Sequence, residues 1–273
     1  MRKPGPVLAL AASAALVAAG CGGNNESEKA KVAPKPSEPK MKGADTGAAI
    51  DVLGPSGGTQ VSRNAVPTRL AISNFKVDCR FAGTANRSGI GHYHIELDGS
   101  LVNMYCRDRA QISMQNVAPG RHELEFLPAT NDHTDDFGAE KKVAFTYKPS
   151  RPLREITAER KGKPSIRILS PKPGSTVRGS FDLKVAPRNF EFSCALYGKK
   201  DVSGYGHWHA NLDSTSKGMM GMGTMLGMSC ERSFHVSLAG IDPGPHRFFA
   251  ILEDNQHAPT PKAQDSVKLN VAG

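Results

Sequence analysis

Several features are missing from the chain, and each absence narrows its class. No apolar run reaches the length needed to cross a bilayer, about 20 residues; even Val7 to Ala19 falls short. No later stretch repeats apolar residues at helical spacing over several turns, which argues against a helical fold. The GxSxG nucleophile elbow, the HExxH zinc motif, the P-loop and the dinucleotide fingerprint are all missing. The chain is therefore read as a non-enzyme. Lys and Arg outnumber Asp and Glu by 35 to 26, a formal charge of +9. These basic residues are scattered and no nucleic-acid-binding motif accompanies them, so nucleic acid is not an expected partner. Cysteines number five, and an odd count leaves at least one outside any intrachain pairing.

What is present begins with a targeting segment. Arg2 and Lys3 precede the apolar run, which ends LVAAGC with small residues before Cys21. This resembles the lipobox of bacterial lipoproteins, although Ala18 stands where that pattern usually has leucine. The resemblance implies a signal peptide over 1–20 and acylation of Cys21. The protein would then be exported and lipid-anchored to a bacterial membrane on its extracytoplasmic face. Residues 21–47 are polar and rich in Lys, Pro and Gly. They cannot bury enough apolar surface to offset their ordering entropy and are expected to form a disordered tether. The positive charge suits anionic lipids or an anionic polymer of the envelope.

The remainder is a duplication. Cys79, His92 and His94 recur 115 positions later as Cys194, His207 and His209. Cys106, Pro119, Gly120, His122, Asn131 and His133 recur 124 positions later as Cys230, Pro243, Gly244, His246, Asn255 and His257. Nine extra residues therefore entered the second copy between His209 and Cys230. The copies span 48–148 and 164–272, with a charged linker over 149–163. Four cysteines remain once Cys21 is set aside. They permit three connectivities, and the repeat selects Cys79–Cys106 and Cys194–Cys230. Each bridge contributes roughly 3 kcal/mol on a loop-entropy estimate.

Within each copy, short runs alternate apolar and polar residues between turn signals, as in AIDVLGP and SIRILSP. Asp98-Gly99 marks a hairpin. The pattern predicts an all-β chain of two tandem antiparallel β-sandwiches. Each copy resembles the immunoglobulin-like domains of bacterial surface proteins. Its GHxH, PGxH and late Asn-x-His motifs are similar to those of small, uncharacterised bacterial domains of this kind. Phe75, Val77 and Cys79 are expected on one inward strand face, as are Phe190, Phe192 and Cys194.

The histidines carry the functional question. In GHYHIELD, Tyr93, Ile95 and Leu97 take the inward parity, which leaves His92 and His94 together on the outer face. His207 and His209 flank the inward Trp208 in the same way. His122 and His246 share inward parity with apolar neighbours and read as structural, bonded to the backbone of the preceding turn. If alternation persists, His133 faces out near His92 and His94, and His257 near His207 and His209. Three imidazoles suit zinc or copper; outward histidines that stack or hydrogen-bond across strands are the alternative. His-x-His on a sandwich superficially resembles copper-zinc superoxide dismutase, but the rest of that family's metal pattern is not apparent. The second copy also carries Met219, Met220, Met222, Met225 and Met228. They read either as soft copper ligands or as an apolar loop packed over the sandwich edge or a partner. The leading expectation is a non-catalytic envelope protein whose domains bind a partner or serve structurally, with copper or zinc binding as the alternative.

Intact-mass measurement of membrane-extracted protein checks the anchor. The expected mature N-terminus is an acylated Cys21; a processed, equally membrane-bound Cys21→Ala variant would contradict it.

Overall fold

The computed structural model describes residues 43–273. The signal segment, Cys21 and the tether up to residue 42 lie outside the described residues, as do the side chains of Met219 and Met220. The described residues form one compact unit. The end of the expected tether belongs to it: Thr46 is buried, and its backbone N–H and its hydroxyl both donate to Asp136 Oδ2, at 2.8 and 2.7 Å.

The first sandwich contains β1 (Ala49–Gly54), β2 (Gln60–Val61), β3 (Ala65–Ser73), β4 (Lys76–Val77), β5 (Ile90–Leu97), β6 (Ser100–Tyr105), β7 (Arg109–Ser113), β8 (Gly120–Ala129) and β9 (Lys141–Tyr147). The second repeats this order: β10 (Ser165–Ser170), β11 (Thr176–Val177), β12 (Ser180–Arg188), β13 (Glu191–Phe192), β14 (Tyr205–Leu212), β15 (Met225–Ser229), β16 (Ser233–Ser237), β17 (Gly244–Glu253) and β18 (Pro259–Val271). In the first sandwich, β1-β3-β7 faces a sheet ordered β2-β9-β8-β5-β4, with β6 added along β5. The second has the equivalent sheets. The two-residue strands pair in parallel, β2 and β11 with the last strand of their sandwich and β4 and β13 with β5 and β14, and the longer pairings are antiparallel. The chain is all-β, two tandem immunoglobulin-like sandwiches.

Period-two patterning explains the cores. In β3, Val66, Thr68 and Leu70 are buried while the residues between them are exposed. Tyr93, Ile95, Leu124 and Phe126 fill the first core, and Trp208, Phe248, Ala250 and Leu252 the second. The indole N–H of Trp208 donates to the Glu231 carbonyl at 2.8 Å, which satisfies the one polar atom of the largest core side chain. Asp98 and Gly99 both have positive φ, 54° and 76°, as a two-residue hairpin turn between β5 and β6 requires. Both expected disulfides are present, with Cα atoms 5.4 and 5.3 Å apart. The strand expected to carry Cys79 is broken, however. Asn74 and Asn189 adopt left-handed φ values of 58° and 53°, and Cys79 and Cys194 each open a short 3-10 turn. Phe75, Val77 and Cys79 are consequently only half-buried.

The two sandwiches dock through equivalent surfaces. Gly83 (φ 73°) follows the 3-10 turn at Cys79, and a Cβ there would lie 2.8 Å from the Met225 backbone of the second sandwich. Its repeat equivalent, Gly198 (φ 66°), lies against the Leu101 carbonyl of the first, where a Cβ would sit at 2.6 Å. Leu101 and Met225 are themselves repeat equivalents, so the contact has approximate two-fold character. Around it, Tyr197, Met222, Met225 and Met228 of the second copy join the apolar cluster of the first. The linker is tied at both ends: Asn116 Nδ2 donates to the Ile156 carbonyl at 2.8 Å, and the Arg160 N–H to the Ser203 carbonyl at 2.9 Å.

Gly83→Ala and Gly198→Ala should each weaken docking beyond the backbone cost of a positive φ, about 1–3 kcal/mol. Gly58→Ala is the control, because Gly58 has φ 76° but open space around it. Proteolysis within 149–163 is expected to accelerate in the first two variants and to stay near wild type in the third; equal rates would refute the contact.

Candidate metal centres at the sandwich interface

The histidines do face away from their own cores, as strand parity requires. They are not on a solvent-exposed face: His92, His94, His207 and His209 are between 0% and 3% exposed. The other sandwich covers them. This corrects the expectation of outward, accessible sites. Glycine shapes the strand start. A Cβ at Gly91 or Gly206 would strike the carbonyl of Ala129 or Glu253 on the adjoining strand, so only glycine allows that approach beside the first histidine of each pair.

The third histidine arrives by a different route from the one parity predicts. β8 ends at Ala129, and His133 sits in a tight turn at φ 63°, with its N–H donating to the Thr130 carbonyl at 3.0 Å. His257 adopts the same φ, 63°. Alternation therefore does not continue to either residue, yet the predicted proximity holds. The antiparallel pairing of β5 with β8 places His92 opposite Ala129, beside the turn. The Asn131 and Asn255 carbonyls accept the N–H groups of Gly83 and Gly198, at 2.7 and 2.8 Å. Each histidine turn is thus joined to the turn that contacts the other sandwich.

In the first trio, His92 Nε2 is 3.2 Å from His94 Nε2 and 2.9 Å from His133 Nδ1, and the third side of this triangle is 3.4 Å. The second trio matches it, at 3.0, 2.9 and 3.4 Å, through His207 Nε2, His209 Nε2 and His257 Nδ1. Nitrogens bonded to a tetrahedral ion at about 2.0–2.1 Å stand about 3.4 Å apart. The longest side of each triangle, 3.4 Å, matches that spacing and the others are shorter, at 2.9–3.2 Å; in each trio the three nitrogens lie close enough together to share one ion.

The groups behind the rings set the tautomers. His94 Nδ1 contacts Asp135 Oδ1 at 2.7 Å, and His133 Nε2 contacts the Met225 carbonyl at 2.7 Å. A carboxylate and a carbonyl only accept, so these outer nitrogens carry the hydrogens. The inner nitrogens of His94 and His133 then present lone pairs to each other. His92 has a single hydrogen to offer to the two of them, and its outer Nδ1 has no partner. In the second trio, His257 Nε2 donates to the Leu101 carbonyl at 2.9 Å, and His207 Nδ1 has no partner. Each third histidine is therefore fixed by the backbone of the opposite sandwich.

Burial, reinforced by neighbouring histidines, pushes His92, His207 and His209 well below the usual imidazole range. Burial also takes His133 down to about 3 and His257 to about 4. These five rings are held neutral, the state in which imidazole binds metal. Glu253 lies behind the second trio, 3.7 Å from His209 Nδ1; burial first, then Asp254, raises it to about 9. Tyr197 packs edge-on to His207, with ring centroids 4.5 Å apart, and its buried hydroxyl has no partner.

His122 and His246 have the structural role expected of them. Their Nε2 atoms donate to the Ala118 and Asp242 carbonyls at 2.9 and 2.8 Å, and their Nδ1 atoms face Asp98 and Asp213. Met222, Met225 and Met228 are buried in the apolar interface cluster, the packing alternative for that segment. Asp135, Glu253 and the two backbone carbonyls were not singled out from sequence. Asp135 is one acid among several in a polar turn, and a main-chain acceptor leaves no trace in residue identity. A cavity of about 910 Å³ lies between the linker and the second sandwich around Arg160, Phe190 and Glu191, and no trio histidine lines it.

No protein-family profile matches the chain, and no curated protein matches it either. Among solved structures it is similar to fibronectin(III)-like modules of Clostridium thermocellum CbhA, at 14% identity and a TM-score of 0.27, covering 81% of this chain and 93% of that one. The FN1–FN3 domains of chicken CNTN1 match at 11% identity and a TM-score of 0.23, over 82% of this chain and 66% of theirs. Two tandem V-type regions of a v-region-containing chitin binding protein match at 9% and 0.22, over 83% and 99%. Likenesses this remote say nothing about activity.

Acid should destabilise the metal-free protein. Unfolded histidines take up protons near pH 6.5, while folded His92, His133, His207, His209 and His257 resist until well below it. The unfolded state binds more protons in that window, so stability falls as pH drops from about 6.5 toward 4. Asp78, lowered to about 2 chiefly by its Arg80 hydrogen bond, loses its contribution only at more acid pH. Urea midpoints measured in chelator from pH 7.5 to 4.5 should decline; a constant midpoint would contradict neutral burial of the rings.

Proposed function

We propose that the protein is a non-catalytic, metal-binding protein of the bacterial cell envelope, exported and held at the membrane by a lipid on Cys21, which takes up one Zn(II) or copper ion in each histidine trio. The observation that carries this reading is the paired convergence of three imidazole nitrogens at 2.9–3.4 Å. Hydrogen bonding among the rings leaves one hydrogen to serve two inner lone pairs, whereas one cation can bind all three nitrogens once that hydrogen has left or moved to the outer nitrogen. The acceptors behind His94, His133 and His257 support the same reading, since a ligating histidine generally donates its other N–H to a carboxylate or a carbonyl. Three imidazoles suit zinc and Cu(II) alike.

Burial beneath the opposite sandwich favours a binding or structural ion over a catalytic one, because a catalytic site needs an open position for substrate. Two disulfides accord with an oxidising, extracytoplasmic compartment.

Calorimetric titration of tag-free protein with Zn(II), and separately with Cu(II), tests the reading. About two ions per chain are expected for at least one metal, and uptake should weaken as pH falls because the ligands must be unprotonated. His94→Ala combined with His209→Ala should abolish uptake, whereas His122→Ala should lower stability with little loss of affinity. Absence of saturable uptake of both metals would refute metal binding, and a double variant that binds like wild type would refute these ligands.

A further inference from the structure

The two trios match in their ring nitrogens but not in what stands behind them. In the first, His94 Nδ1–H reaches the Asp135 carboxylate at 2.7 Å. The repeat equivalent of Asp135 is Pro259, so the second trio has no carboxylate at that position. Its acid is Glu253, the equivalent of Ala129, placed 3.7 Å from His209 Nδ1. That gap is too long for a hydrogen bond, and Glu253 Oε2 has no other partner. The second trio is also walled by the Tyr197 ring, 4.5 Å from the His207 ring between centroids, where the first has Ala82 at the equivalent position.

A carboxylate bonded to a ligating histidine fixes the ring and makes its lone pair more basic, and removing such a partner typically lowers metal affinity about 10- to 100-fold. Asp135 also brings negative charge close to where a buried dication would sit, which offsets part of the cost of burying it.

Resting on the metal-binding reading, we infer that the two sites are unequal. The His92–His94–His133 site, positioned by Asp135, is the tight site, and the His207–His209–His257 site is the weaker, exchangeable one. Asp135 is a positioning residue that acts through His94, and its absence from the second copy separates a retained ion from one that can be handed on.

Competition between the tag-free protein and a chromogenic chelator for Zn(II) or Cu(II) resolves the two steps, using whichever metal is taken up. Wild type should load in two steps whose dissociation constants differ by about 10- to 100-fold. Asp135→Ala should weaken the tight step by a similar factor and leave the weak step in place, with metal-free thermal unfolding showing that the variant folds. Should Asp135→Ala fail to fold, the exchange Glu253→Ala with Pro259→Asp gives the second trio the residues of the first and should tighten the weak step. Two ions bound with one affinity, an Asp135→Ala effect on the weak step, or an exchange variant with an unchanged weak step would overturn the inequality while leaving metal binding intact. No saturable uptake at all would overturn both.

Discussion

The burial of two histidine-bearing sheet faces against each other is the constraint on which the rest of the structure depends. Strand parity turns each His-x-His pair away from its own core, and a solvated face would have asked nothing further of it. Docking the two sandwiches removes the water, so every ring nitrogen then needs a partner or exacts a desolvation cost, about 1–3 kcal/mol for each unsatisfied buried polar group. The outer nitrogens of His133 and His257 meet that demand across the interface, on the Met225 and Leu101 carbonyls. Glycines at 83 and 198 allow the backbones to come close enough for those bonds. Hydrogen bonding and close packing thus specify the same docked arrangement twice.

Much of this was legible in the sequence, and the rest was hidden for identifiable reasons. Alternation is a local property, so the strands, the inward Trp208 and Tyr93 and the outward sense of the histidine pairs followed directly. The repeat register is long-range but is read directly from residue identity, and it selected both disulfides. Exposure was misjudged because parity reports which way a side chain points, not what a second domain lays over it. The position of His133 was reached through an alternation that ends at Ala129; a left-handed turn brings the ring to the same neighbourhood. The break at Asn74 was missed because the run TRLAISNFKVDC reads as a single strand unless the tolerance of asparagine for positive φ is given weight.

The methionine-rich insertion shows how duplication and asymmetry coexist. The added segment contributes Met222 to the interface cluster, and Tyr197, Met225 and Met228 stand there where the first copy has Ala82, Leu101 and Met104. Thioether side chains fill irregular gaps with little strain, which suits a surface that must fit a partner domain of related but unequal sequence.

Ligand loading and domain docking are coupled on the proposed reading. His133 and His257 are held in place by the opposite sandwich, so separating the sandwiches releases one imidazole from each trio's fixed geometry. A ligand that favours the intact trio adds its binding free energy to the docked state, in proportion to the logarithm of its free concentration over its dissociation constant. The same linkage runs in reverse: whatever loosens the Gly83 and Gly198 contacts weakens the ion at both trios. The carboxylate at Asp135 makes the first site the less dependent on docking of the two, because there one ring is held by a partner within its own sandwich.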